Sequence, residues 1–241
     1  MSVDVIISVW DENPPEWLEQ LVASIDAHDA GQKFRLVLCA NGEEFEPPAA
    51  IAARFDEIFV RPNVGFNIGA WDHAWRRRDA DAFLFLQDDC RVLRKGWLLD
   101  FTQCMAAGTN VGLVGEHLNR NWDHTWDELT GGDNAGLAER AQRYKTRIAE
   151  WGVDPGTHAR HLTTVVQYTT RAVLEEVDGF RIAESYEDAI AAEIAFSRKI
   201  EASGRSLAQV GRRRHSRIGH REWEQDGFLG RLRRSAQKRL R

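Results

Sequence analysis

Cysteine is scarce in this chain. Cys39, Cys90 and Cys104 lie far apart and are odd in number, which argues against a disulfide framework and a zinc site and for a reducing, cytoplasmic compartment. No stretch approaches the roughly 18 consecutive apolar residues of a membrane-spanning helix. The opening MSVDVIISVW places an acid early and has no basic segment, so a cleaved secretion signal is not expected. Two nucleotide-binding signatures are missing as well. No GxGxxG follows the first apolar run, where a dinucleotide-binding oxidoreductase would carry it, and no Walker-type phosphate loop occurs. Gly65 and Gly69 follow a later strand at a spacing that fits no dinucleotide loop.

What is present is enough for one large domain, or one domain with an extension: 241 residues, 43% of them hydrophobic. The formal net charge of −5 is unevenly spread. Residues 205–241 hold 12 Lys/Arg against three Asp/Glu, a balance of +9, so the preceding residues carry −14. A basic end on an acidic body suits a polyanion, either an anionic membrane surface or DNA, although a solvated tail would look the same. Phe228, Leu229, Leu232, Ala236 and Leu240 recur roughly every four residues in that tail. A helix there would carry an apolar stripe flanked by Arg and Lys and could lie on the inner face of the membrane.

Short apolar runs alternate with helical patterns. Val3 to Val9 reads as a buried strand, and Asn13-Pro14-Pro15 breaks it. Trp17, Leu18, Leu21, Val22 and Ile25 then follow at helical spacing. Strands are predicted at 33–39, 57–60 and 82–86, with helices over 49–55 and 70–78 between them. Three such alternations predict right-handed βαβ units and a parallel sheet. Further on, helices are expected at 97–105, 139–151, 172–177 and within 183–204, the last with Glu187 and Asp188 in its first turn, and strands at 111–114, 162–169 and 206–210. Residues 116–160 show little strand pattern. Their Trp122, Trp126 and Trp151 could stack on a sugar or base, or pack the segment onto the sheet.

The run DAFLFLQDDC carries the clearest chemistry. Ala82 to Leu86 are almost wholly apolar, as in a strand buried on both faces, and Asp88 and Asp89 follow at once. Carboxylates at the C-terminal end of a parallel strand sit where open α/β sheets bind ligands. Side by side they repel, and a divalent cation with a taste for oxygen would relieve them. A solvated turn is the plain alternative. Asp11 and Glu12 end the first strand on the same edge.

Taken in order, IISVWDENPPEWLEQLVASI, RPNVGFNIGAWDHAW, FLFLQDDC and EEVDGFRIAESYEDAIAAEIAFSRKIEASG resemble the family-two-like, inverting glycosyltransferases of the GT-A fold, rhamnosyltransferase-like members in particular. The resemblance spans about residues 3–220. It implies a Rossmann-like α/β sandwich with a central, mostly parallel sheet. Residues 1–115 would form the nucleotide-sugar-binding half, 116–220 the acceptor-side half, and 221–241 a basic amphipathic helical extension. It further implies transfer of a sugar, with inversion, from a UDP-, dTDP- or GDP-sugar to an acceptor hydroxyl, assisted by Mn2+ or Mg2+. QDDC stands for the D-x-D-type motif, so Asp89 and Asp88 would hold the metal. His215 looks like the histidine that some such enzymes add as a ligand, with His220 the alternative. Asp188 fits the base, with Glu187 able to swap roles. Asp11, Glu12, Asn41, Asn63, Gly65, Asn67 and Arg212 would surround the donor, and Trp122 and Tyr186 the acceptor. One departure stands out: Ala40 occupies the place where many relatives carry a base-contacting aspartate, and Asn41 is the nearest substitute. The acceptor could be a lipid-linked glycan or a macromolecule such as DNA or protein. A non-catalytic module of the same fold, binding through its basic end, is the competing reading.

Overall fold

Strand β4 (Ala82–Gln87) shows how the sequence builds the centre of the molecule. Its residues alternate between two apolar layers. Ala82, Leu84 and Leu86 face helices α1 (Pro15–Ala27) and α4 (Trp97–Ala107), meeting Leu21, Trp97 and Phe101. Phe83 and Phe85 face α3 (Phe66–Trp75), α7 (Arg171–Glu176) and α8 (Ala189–Ala202), meeting Trp71, Leu174 and Phe196. Both faces are covered, so the strand reads as an unbroken apolar run. Burying a side chain such as Phe85 contributes about 1.5–3 kcal/mol.

The structure is a computed structural model of the chain, and it describes residues 1–119 and 123–221. Strands β1 (Val3–Trp10), β2 (Arg35–Asn41) and β3 (Glu57–Arg61) run parallel to β4. The small helix α2 (Ala49–Ala52) precedes β3. The strand β5 (Cys90–Val92) follows β4 directly and lies in a separate two-stranded ribbon. After α4 come β6 (Val111–Gly115), helices α5 (Trp126–Gly131) and α6 (Ala135–Glu150), β7 (Val166–Thr170), then α7, α8, β8 (Ser206–Gln209) and β9 (Ile218–His220). The main sheet has seven strands in the order β3-β2-β1-β4-β7-β6-β8. β7 is antiparallel to both its neighbours, β4 and β6, while β6 and β8 are parallel.

Several boundaries differ from the sequence reading for identifiable reasons. β2 runs on to Asn41, which pairs with Arg61 at the end of β3, so the expected turn begins later. α3 starts at Phe66, four residues early, because Gly65 caps it in a left-handed conformation (φ 77°). A Cβ at Gly65 would fall 2.3 Å from Ile182. The expected strand over 162–169 is cut to β7. Its first part turns instead, because amides of Asn67 and Gln87 both donate to the Thr164 carbonyl. In the segment with no clear pattern, Thr125 and Glu128 form a reciprocal capping box that starts α5, and Asn134 caps α6. Trp126, Leu129, Tyr144 and Ile148 of this pair build a third apolar cluster against Ala191, Ile194 and Ala195 of α8. Trp126 is thus a packing residue, its indole N–H donating to the Pro155 carbonyl. Trp122 and the tail 222–241, with its expected amphipathic helix, lie outside the described residues. No helix among the described residues is long and apolar enough to cross a membrane.

Candidate active site

The parallel strands β1, β2 and β4 end together, and a cleft of about 740 Å³ opens at their C-terminal ends. This edge gathers side chains from both halves of the chain. Ser8, Trp10 and Asn13 come from the end of β1, Asn41 from β2, Asn63 and Asn67 from around the start of α3, and Asp88 from β4. Residues 163–165, α6, α8 and β9 complete it.

Asp88 is buried, and the Asn13 side-chain amide donates to both its oxygens, at 3.2 and 2.9 Å. Burial pushes its carboxyl up to about 7; the Asn13 bond opposes this and the Asp89 charge adds to it. Asp89 turns the other way and does not line the cleft. One oxygen lies 2.9 Å from Nε2 of His220. The other, Oδ1, is buried and has no hydrogen-bond partner among the described residues. His220 arrives from the far end of the chain because β9 pairs antiparallel with β5, setting Cys90 opposite His220. Glu116, at the end of β6, fixes that approach. Its carboxylate accepts the backbone N–H groups of Ser216, Arg217 and Ile218 at 2.7–2.8 Å.

The donor atoms here fit a divalent cation. Two adjacent carboxylates, one with a bare buried oxygen, supply hard ligands, and Mg2+ or Mn2+ completes its shell with substrate phosphates and water. Among the described residues no group of three His, Cys, Asp or Glu side chains is already gathered around one point. His215, the first choice for the extra ligand, does not line the cleft. It packs edge-on against His117 (5.5 Å between ring centres) at a positive φ of 52°. Burial, with His117 next to it, pushes its imidazole down to about 3. The structure brings His220 to Asp89 instead, through the β5–β9 pairing.

The expected base also sits differently. Asp188 is buried at the N-terminus of α8, but its carboxylate is engaged by Arg147 (3.1 Å) and the Ser185 hydroxyl (3.1 Å) and does not line the cleft. Glu187 does line it, but is largely exposed and paired with Arg143 at 3.1 Å. Among the acids of α8 and its leading turn, the carboxyl that is both in the cleft and shielded is Glu193, one turn further along α8, with its side chain 18% exposed. It accepts the Thr164 backbone N–H at 3.0 Å, and burial pushes it up to about 7. Its Oε2 lies 3.9 Å from Nε2 of His161. Burial pushes that imidazole down to about 4, so it is neutral at pH 7; Nδ1–H donates to the Ala159 carbonyl, and Nε2 accepts from Asn119. The sequence reading missed Glu193 because it falls among the apolar residues of α8. A carboxylate in that otherwise buried stretch was the signal.

Of the expected donor-side residues, Asn41, Asn63 and Asn67 line the cleft. Asn41 is buried, holds Arg61 and donates to the Phe66 carbonyl, so Asn41 rather than the core residue Ala40 faces the ligand edge. Gly65 shapes the turn without lining the cleft. Asp11 and Glu12 are exposed and outside it, and Asp11 packs on Gly42, where a Cβ would fall 1.9 Å from its carboxylate. Trp10 and Asn13, their neighbours, take that position. Arg212 is exposed and away from the cleft. Tyr186 lies at the mouth, 81% exposed, edge-on to Phe66.

Neither a protein-family model nor a curated protein sequence matches the chain. Solved structures do. The mannosyltransferase PcManGT from Pyrobaculum calidifontis, in complex with GDP-Man and Mn2+, superposes with a TM-score of 0.55 at 15% identity, over 85% of this chain and 54% of its own. TarS of S. aureus superposes with a TM-score of 0.51 at 14% identity, over 82% of this chain and 34% of its own. The fold is GT-A. At these identities the likeness is one of architecture, and the chain spans about half the length of the mannosyltransferase chain it matches.

Proposed function

We propose that this GT-A protein is a divalent-metal-dependent, inverting glycosyltransferase that moves a sugar from a nucleotide-diphosphate donor to an acceptor hydroxyl. One observation carries the reading: a single cleft on the ligand edge of the sheet holds Asp88, with Asp89 and its bare buried oxygen beside it, and a second, separately shielded carboxyl, Glu193. Asp89 and Asp88 would hold the cation, with His220 as the third group near them. When bound, Mn2+ or Mg2+ supplies positive charge to the leaving diphosphate. Asn41, Asn63 and Asn67 offer neutral donors and acceptors along the nucleotide wall, which suits a base and ribose better than more charge would. Glu193, as its carboxylate, takes the proton of the acceptor hydroxyl. That oxygen then forms the new bond to the anomeric carbon while the bond to the diphosphate breaks, and configuration inverts. A carboxyl held near 7 is matched to this task at neutral pH. We assign Asp188 and Glu187 to holding α6 against α8 through Arg147 and Arg143. GDP-Man and Mn2+ in the mannosyltransferase that shares the fold support a nucleotide-sugar donor and a divalent metal.

The test is a thermal-shift screen of UDP-, dTDP- and GDP-sugars with and without Mn2+ or Mg2+. A donor present at a hundred times its Kd adds about 2.7 kcal/mol to native stability. A shift that needs metal and is lost in Asp89→Ala is expected, together with release of nucleoside diphosphate. The competing reading, a non-catalytic module, is favoured by the lack of a pre-gathered ligand cluster among the described residues. It wins if no donor binds and no nucleoside diphosphate is released with either metal. Contact of residues 205–241 with an anionic membrane or DNA concerns mainly the undescribed tail. In the described part, Arg212–Arg214 are exposed and Arg221 lies over the Trp17 ring at 5.0 Å. Sedimentation with anionic vesicles, against a DNA mobility shift, separates the two partners.

A further inference from the structure

One wall of the cleft has no part in the chemistry above. Helix α6 carries Arg140, Arg143 and Arg147 at intervals of three and four, which puts them along one face. Two of the three have fixed partners on α8 and its leading turn. Arg147 is held by Asp188 and by Glu150 at 2.9 Å, and Arg143 by the Glu187 carboxylate and by its carbonyl at 3.2 Å. Arg143 also lies over the Tyr144 ring, 5.3 Å from its centre. Arg140 breaks the series. It lines the cleft, and its Nε donates only to the Gly136 carbonyl of its own helix at 3.1 Å, while no carboxylate among the described residues pairs with it. The outward fork of its guanidinium is therefore uncommitted at the mouth, one helical turn from a second arginine that Glu187 holds in place. Tyr186, with most of its ring exposed, belongs to the same mouth.

We infer that this wall binds the acceptor, and that the acceptor is a glycan bearing an anionic group, phosphate or carboxylate, received by Arg140 with Arg143 behind it, while the Tyr186 ring meets a sugar face. The inference rests on the glycosyltransferase reading and names the substrate class of its open side. A guanidinium fork matches the two oxygens of either anion, and a lysine or a solvated rim residue would not discriminate in the same way. Two arginines against the single Glu187 leave one positive charge for the ligand. A glycan needs an apolar ring face to rest on as well as an ion pair, and Tyr186 supplies one. Because Arg140 is exposed, solvent screening holds the expected gain to a modest factor.

The experiment measures binding of glucose 6-phosphate, glucuronate and glucose by calorimetry. The donor side is first filled with Mn2+ and whichever of UDP, GDP or dTDP raises the melting temperature. Either anion is expected to bind more tightly than glucose by about tenfold, and the better of the two identifies the acceptor's charge. Arg140→Gln is expected to weaken that anion about fivefold to tenfold and to leave glucose and the nucleoside diphosphate unchanged. Arg140→Lys keeps the charge but loses the fork, and falls between. The inference is overturned if glucose binds as well as the anions, or if Arg140→Gln leaves anion affinity unchanged. It is equally overturned if the variant weakens the nucleoside diphosphate, which would move Arg140 to the donor side. If no nucleoside diphosphate binds at all, the glycosyltransferase reading fails by itself, and the same anion titration on the free protein still reads Arg140.

Discussion

The two ends of the central sheet treat buried carboxylates in opposite ways. At the N-terminal end of β1, Asp4 is fully buried, and each of its oxygens has a permanent cation, Arg35 at 2.6 Å and Arg78 at 2.7 Å. At the C-terminal end of β4, no guanidinium is within ion-pair reach of Asp88 or Asp89 among the described residues. Asp88 has a neutral amide, and Asp89 has one imidazole and one bare oxygen. The same residue type, shielded at both ends, is finished at one end and unfinished at the other. A protein that only needed stability would finish both. The contrast supports the proposal that a cation binds at the C-terminal edge.

The sharpest way to break this comparison is a pair of substitutions. Asp89→Ala should cut release of nucleoside diphosphate by at least about a thousandfold and abolish the metal-dependent thermal shift. It should change unfolding free energy in urea by less than about 1 kcal/mol, because the lost group was poorly satisfied. Asp4→Asn should do the reverse. It should cost about 1–3 kcal/mol, because the buried charge that Arg35 and Arg78 share is lost while each keeps a second carboxylate, Asp79 and Glu57 respectively, and should keep the metal response in the folded fraction. Equal stability losses at both ends would remove the distinction.

The base assignment comes next in size. Glu193→Gln should lower the transfer rate by roughly a hundred- to a thousandfold with donor affinity unchanged. Asp188→Asn should keep the rate within about tenfold while losing about 1–3 kcal/mol, since Arg147 loses its buried charged partner and keeps only Glu150. The opposite pattern would return the base to Asp188. A smaller effect separates the histidines. His220→Ala should weaken Mn2+ binding about tenfold, measured by titration, and His215→Ala should leave it within about twofold.

The smallest effect is a slope. Glu193 binds its proton up to about pH 7 in the native state, above its unfolded value near 4.5. Between those two values the native state holds more protons, so stability falls as pH rises, by at most about 1.4 kcal/mol per pH unit. Asp88 adds a slope of the same sign over a similar window. His161, its neighbour, acts the other way, since a depressed imidazole loses stability as pH falls from about 6.5 towards 4. The difference between wild type and Glu193→Gln isolates the glutamate, and urea melts from pH 5 to 7 should show a flatter line in the variant. Transfer rate should climb through about pH 7 as Glu193 ionises.

Much of the N-terminal half was legible because its contacts are local in pattern. Four parallel strands and the helices between them announce themselves as apolar runs with turn residues between, and the DD pair sits where the last run stops. Asn41, Asn63, Asn67, Asp88 and Tyr186 were named from sequence and do line the cleft. The differences between the sequence reading and the proposed site cluster where long-range pairing decides. Asp11 and Glu12 were taken for Trp10 and Asn13 because the turn after β1 cannot be phased from its own residues. His215 was preferred to His220 because a three-residue strand pairing with β5 leaves no periodic trace. Glu193 was passed over for Asp188 because both are acids on one helix, and only the partners of each tell them apart.

The sequence by itself determined an α/β sheet buried on both faces, two acids at its ligand edge, and an acidic body with a basic end. Burial period and turn chemistry are local, and they are written residue by residue. Tertiary structure alone decided which acids are neutralised. Whether a carboxylate is a strut or a site depends on what lies within about 3 Å of it, and that is set by segments as distant as Asp4 and Arg78, or Asp89 and His220.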